Sequence, residues 1–124
     1  MITGIQFSRA GISCTLIEKR AYPFHRVCGE YISNETVPFL KSLGIYPEEF
    51  SPSILSRFQL SSVNGKSADL KLDLGGFGIS RYQFDYFLFE KAKASGVRFI
   101  LDTEVNSIHF KDDKFQVATT NDTL

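Results

Sequence analysis

Residues 14–30 read CTLIEKRAYPFHRVCGE. An apolar run ends on an acid, Glu18, and passes at once into a segment that holds Lys19, Arg20, His25, Arg26, Cys28 and Gly29. A segment that merely turns the chain has no need of that mixture, whereas an anionic ligand carrying hydroxyl groups would account for it. SCTLIE (13–18) is apolar on both strand faces, the pattern of a buried parallel strand rather than a half-exposed one. Upstream, Ile2, Ile5 and Phe7, with Arg9 outward, give residues 2–10 an amphipathic face, and Gly11 stands where a helix C-terminal cap belongs. Helix, glycine turn and parallel strand together make the second half of a βαβ unit.

In a dinucleotide-binding unit of that kind, the carboxylate at the end of the second strand accepts hydrogen bonds from ribose hydroxyls. The pyrophosphate rests on a glycine-rich turn at the helix N-terminus. Glu18 falls in the ribose position. The glycine fingerprint belongs about twenty residues before such an acid, which is ahead of Met1, so the expectation is a chain that begins after it.

Further along, residues 20–33 read as a loop. Asn34 to Leu43 read as a helix closed by Gly44, with Pro38 accommodated in its first turn. YPEEFSPS (46–53) is a linker. Asn64-Gly65 between two β-rich runs predicts a hairpin with a type I′ turn, and GGFG (75–78) a second turn. SRYQFDYFLFEKAKASG (80–96) opens with Ser80 and Gln83 at capping-box spacing, gathers Phe84, Phe87, Leu88 and Ala92 on one face, and ends at Gly96. VRFIL (97–101) is a strand, and VNSIHF and FQVATT flank the turn KDDK as another hairpin. Parallel βαβ pieces mixed with antiparallel hairpins indicate a mixed α/β fold.

Composition narrows the function classes. With 124 residues, 43% hydrophobic and a formal net charge of zero, the chain can build one small core and carries no electrostatic footprint for nucleic acid. No apolar run reaches the roughly eighteen residues of a transmembrane helix. The start lacks the basic n-region and cleavage site of a signal peptide. A cytoplasmic protein is expected, with peripheral membrane contact left open. Cys14 and Cys28 sit in different settings, an apolar strand and a loop, and argue against a structural disulfide.

The segments TGIQFSRAGISCTLIEKRAYPFHRVCGEYIS and GISRYQFDYFLFEKAKASGVRF resemble the FAD-dependent monooxygenases and oxidoreductases of the p-hydroxybenzoate-hydroxylase type, especially their geranylgeranyl-reductase and flavin-halogenase-like branch. The likeness is most specific at the EKR…P…CGE arrangement of residues 14–30 and at ISRYQFDYFL (79–88). It implies an α/β fold: an incomplete Rossmann-like FAD-binding domain with antiparallel β-hairpin insertions. Residues 1–124 would form a single partial domain, the middle slice of a larger flavoprotein. It also implies roles. Glu18 would bind the adenosine ribose and Arg26 would approach the pyrophosphate or ribityl region. Cys28 and Gly29 would lie near the isoalloxazine, Arg81 would contact the flavin side, and the backbone of Val105 would meet the adenine edge. The cofactor would be FAD, NAD(P)H or another donor would reduce it, and the substrate would be a lipophilic or aromatic small molecule. Gly4 corresponds to the small residue that trails the family's GxGxxG, and the family's later Gly-Asp motif has no counterpart in this sequence.

Plainer readings stand beside these. Glu18 alone would be an ordinary strand-end acid, and Arg26 and His25 ordinary surface groups. A metal site would have to be assembled from His25, Cys28, Cys14 and His109 alone, and none is expected. Cys28 has no His and Asx partner at a recognisable spacing, so no catalytic residue is assigned. Tyr82, Phe84, Tyr86, Phe87 and Phe89 read as packing. Arg81 opens its helix, where a cation opposes the macrodipole, which favours a binding role over a local one. Two other functions remain. One is a non-catalytic remnant or interaction module that does not bind FAD. The other is a simpler nicotinamide-dependent dehydrogenase, which leaves the hairpins and CGE unexplained.

Overall fold

The structure of the protein, a computed structural model, describes residues 1–28 and 30–120. Its contacts divide into two compact units, Met1–Phe24 with Asp85–Leu124, and His25–Phe84.

In the first unit, helix α1 (Ile2–Arg9) leads into strand β1 (Thr15–Ile17). β1 pairs in parallel with β5 (Arg98–Ile100) in the register Thr15↔Arg98, Leu16↔Phe99, Ile17↔Ile100. α1 lies close to this pair through Gly4, where an added Cβ would stand 3.2 Å from Val97 Cγ2 and 3.6 Å from Cys14 Sγ. The Ser8 hydroxyl donates to the Ser95 carbonyl. Phe87, Leu88, Phe89 and Ala92 of helix α3 (Arg81–Ala94) are buried, and the Phe89 ring meets Phe99 edge-on at 4.7 Å. The parallel strand predicted from SCTLIE is therefore present but is not buried. Thr15 is exposed and Leu16 and Ile17 are half-buried, because among the described residues β1 has one neighbouring strand. The unit also holds the hairpin of β6 (Val105–Lys111) and β7 (Lys114–Thr119). Asp112 and Asp113 at its tip take φ 53 and 56, both left-handed, as a type I′ turn requires.

The second unit is built on a three-stranded antiparallel sheet in the order β2-β4-β3, from β2 (Tyr31–Ser33), β3 (Ser53–Ser61) and β4 (Ser67–Gly78). Asn34–Thr36 form a 3₁₀ turn that runs into helix α2 (Val37–Ser42), with Pro38 in its first turn as predicted. Glu48–Phe50 add another 3₁₀ turn within the expected linker. Leu40, Ile45, Phe77, Ile79 and Phe84 are buried, with Tyr46 edge-on to Phe77 at 5.3 Å.

All three α-helices end alike. Gly11, Gly44 and Gly96 each take positive φ and donate to the carbonyls of Ser8, Lys41 and Lys93. The residues after them, Ile12, Ile45 and Val97, donate five residues back to Phe7, Leu40 and Ala92. This doubly bonded cap satisfies otherwise orphaned carbonyls and needs the left-handed conformation that glycine adopts without a Cβ clash.

Three sequence expectations are corrected in the second unit. Residues 31–33 are not loop but β2, paired with Gly76–Gly78. GGFG is not a turn but the end of β4, beside an irregularity that lets several β4 residues oppose Ser56 between the pairs Leu55↔Gly76 and Arg57↔Lys71. Its glycines serve close approach: a Cβ on Gly75 (φ 63) would stand 2.8 Å from the Leu55 carbonyl oxygen, and one on Gly76 2.6 Å from that of Ile32. The β3–β4 loop is not a two-residue type I′ turn either. The Gly65 N–H donates to Ser62 O at 3.0 Å and the Ser62 N–H to Lys66 O at 2.8 Å, with Gly65 alone at positive φ. A three-residue loop asks for one left-handed residue instead of two, and glycine supplies it.

Candidate functional site

Glu18 follows β1 directly and continues its pairing. Its N–H donates to Ile100 O at 3.0 Å, and its carbonyl accepts from the Thr103 N–H at 3.1 Å. The backbone is thus held on both sides while the half-buried carboxylate stands at the carboxyl end of a parallel strand pair, the end at which α/β sheets bind ligands. Its Oε1 accepts from the Arg20 N–H at 3.3 Å. Lys19 Nζ lies 3.4 Å from Glu104 Oε1. Val105, 37% exposed, begins β6 two residues after Thr103, so the bond between Glu18 and Thr103 brings two of the predicted residues into one neighbourhood.

Three others gather in the second unit. The His25 ring stacks on Tyr82 at 4.6 Å, and the Ile79 N–H donates to Glu30 O at 3.2 Å. These two contacts pin both ends of the 25–30 segment to the start of α3. Arg26 and Cys28 lie between them, both exposed, and Arg81 is the first residue of the helix. Ser80 caps that helix, its Oγ accepting from the Tyr82 N–H at 3.2 Å, as its position in the sequence predicts. Gly29 lies outside the described residues. Cys28 and Cys14 are free thiols. Among the described residues no group of three or more His, Cys, Asp or Glu converges as a metal site, and no helix is long and apolar enough to cross a membrane.

Sequence reasoning missed Thr103 and Tyr82. Thr103 is a polar residue only 3% exposed that joins the Glu18 backbone to the stretch before β6. Its bond to Glu18 runs through main-chain atoms, which leave no sequence signature, while its hydroxyl donates to Leu101 O at 3.0 Å. Tyr82 was read as packing, yet it is the platform on which His25 stacks.

In the first unit, a carboxylate at a strand end has the chemistry that suits ribose hydroxyls; in the second, the guanidinium groups of Arg26 and Arg81 have the chemistry that suits an anionic diphosphate.

No family model matches the chain, and no curated protein matches it. Solved structures do. The halogenase PltM superposes with TM-score 0.77 at 19% identity over 99% of this chain and 30% of its own. CmlS, a flavin-dependent halogenase, superposes with TM-score 0.78 at 18% identity over 99% of this chain and 24% of its own. A flavoprotein/dehydrogenase from Cytophaga hutchinsonii gives TM-score 0.76 at 17% identity over 98% of this chain and 32% of its own. The chain spans about a third or less of the length of these proteins. PltM has also been solved in complex with phloroglucinol and FAD. The fold of these 124 residues, mixed helix and strand, is that of part of the flavin-dependent halogenases and related flavoproteins.

Proposed function

We propose that the chain is the cofactor-binding part of an FAD-dependent oxidoreductase or monooxygenase, of the branch that includes geranylgeranyl reductases and flavin halogenases. The observation that carries this reading is Glu18: a carboxylate whose backbone is locked at the carboxyl end of a parallel strand pair, in a fold shared with flavin-dependent halogenases. Glu18 accepts hydrogen bonds from the adenosine ribose, and the Val105 backbone meets the adenine edge. Arg26 and Arg81 bring positive charge to the pyrophosphate and flavin portions, and Cys28 and Gly29 line the isoalloxazine side. Residues 1–124 then act as one partial FAD-binding domain. Bound FAD supplies the redox chemistry, which the side chains named here orient and screen electrostatically. NAD(P)H or another donor delivers the electrons, the substrate is a lipophilic or aromatic small molecule, and the setting is the cytoplasm.

Purification of the full gene product tests the proposal. Stoichiometric flavin absorbance that bleaches on anaerobic addition of NADPH or dithionite is the expected result. A colourless, folded protein that takes up no added FAD would overturn it.

A further inference from the structure

Five described non-glycine residues have positive φ: Glu30, Ser51, Asp102, Asp112 and Asp113. Aspartate visits this region readily because its short side chain bonds locally, and Ser51 does so as the left-handed cap of the 3₁₀ turn Glu48–Phe50, its N–H donating to Glu48 O at 3.0 Å; Glu30 has no such local reason. The two that are not aspartate, Glu30 (φ 55) and Ser51 (φ 46), line the same cavity of about 380 Å³ in the second unit. Strained backbone such as that of Glu30 persists where its surroundings over-determine it, and this volume falls within the range of small-molecule sites.

The lining has a definite chemistry. Ser51, Ser53, Ser80 and Gln83 contribute neutral donors and acceptors, Glu30 the one charged side chain, and Leu55 and Ile79 an apolar wall. Gly78 opens the floor: a Cβ there would stand 3.4 Å from Leu55 Cδ1 and 3.8 Å from Ser53 Cβ. No lysine or arginine lines the cavity, so an anionic guest would meet a carboxylate with no compensating cation.

We propose that this cavity binds a small organic amine carrying an aromatic or hydroxyl group, with the ammonium held by Glu30, the polar substituent by the serine and glutamine groups, and the apolar body against Leu55 and Ile79. The proposal stands apart from the flavin reading, since none of the residues assigned to FAD lines the cavity.

Tyramine and its carboxylate counterpart para-hydroxyphenylacetate share a ring and a phenol and differ in the charge of the tail, which makes them the probes. Titrated into the isotope-labelled full chain, tyramine shifts the backbone amides of Ser51, Ser53 and Ser80, and para-hydroxyphenylacetate leaves them in place. Glu30→Gln weakens tyramine about tenfold, the loss of one charge-assisted hydrogen bond. Glu30→Gly abolishes the tyramine response while raising the melting temperature, because glycine relieves the positive φ; a merely structural Glu30 would not produce that split. Equal response to the two compounds, tyramine shifts confined to other residues, or an unchanged tyramine affinity in Glu30→Gln would each overturn the assignment.

Discussion

Replacing Glu18 by alanine separates cofactor binding from folding, and the structure sets both magnitudes. The bonds that fix this position are main-chain, Glu18 N–H to Ile100 O and Thr103 N–H to Glu18 O, and alanine keeps both. Among the carboxylate's contacts, the bond to the Arg20 N–H is 3.3 Å long and exposed, so that one bond contributes about 0.5 kcal/mol or less to the fold. Ribose hydroxyls left without an acceptor cost about 1–3 kcal/mol of binding, or about 5- to 150-fold in Kd. In the full gene product, Glu18→Ala should therefore raise the FAD Kd by that factor, measured by flavin-fluorescence titration, with a thermal melt recorded alongside. Glu18→Gln should do less, since its amide oxygen still accepts. ADP, which carries the same ribose without the flavin, should lose affinity by the same factor. If both variants hold FAD as tightly as the parent while melting as it does, Glu18 does not bind the ribose.

Two stability predictions test the backbone reasoning. Gly75→Ala meets a left-handed φ of 63 and a backbone oxygen 2.8 Å from the new Cβ; the conformational penalty of about 1–2 kcal/mol and the overpacking penalty of about 1–3 kcal/mol together predict a loss of about 2–5 kcal/mol in urea unfolding. Gly65→Ala, at φ 78 with nothing within 4 Å, pays the first penalty alone, and equal losses for the two variants would refute the close-approach argument. Asp113→Gly, at φ 56 on the β6–β7 turn, relieves a left-handed penalty that aspartate's local bonding already holds below the usual value of about 1–2 kcal/mol at an entropic cost of about 0.5–1 kcal/mol, so stability should change by about 0.5 kcal/mol or less; a loss well beyond about 1 kcal/mol would contradict the type I′ assignment.

The elements legible in the sequence are those whose signals lie in local side-chain chemistry. Gly11, Gly44 and Gly96 mark the three helix ends, Ser80 marks the start of α3, and the spacing of Phe84, Phe87, Leu88 and Ala92 gives its buried face. β2 and the end of β4 were missed for one shared reason. A strand is recognised by alternation of its side chains, and here Tyr31–Ser33 pairs with Gly76–Gly78, where two of three partners have none. GGFG looks like a turn because glycine usually supplies bending. In this sheet it instead supplies room, letting β4 pass within van der Waals reach of Leu55 and Ile32. The turn at Val63–Gly65 was misread because Asn-Gly satisfies the signature of one turn while Gly65 alone satisfies another.

The candidate site divides along the same line. The place of Glu18 at the end of β1 was legible because the apolar run stops at it and a basic stretch follows, whereas the bond from Thr103 to it is a main-chain one that any residue but proline could make. At 17–19% identity, the likeness to the halogenases and flavoproteins is one of backbone path. Such a path fixes where a residue stands without fixing what its side chain does. At position 18 the backbone contribution can be told apart from that of the side chain, because the main-chain bonds to Ile100 and Thr103 survive substitution while the chemistry assigned to the residue belongs to the carboxylate. Arg26 and Arg81 offer no such separation, since a guanidinium that binds an anion also contributes its own interactions to the loop and helix that carry it. A change in cofactor affinity at Glu18 therefore tests the flavin reading directly, while one at either arginine mixes cofactor binding with the integrity of the segment around it.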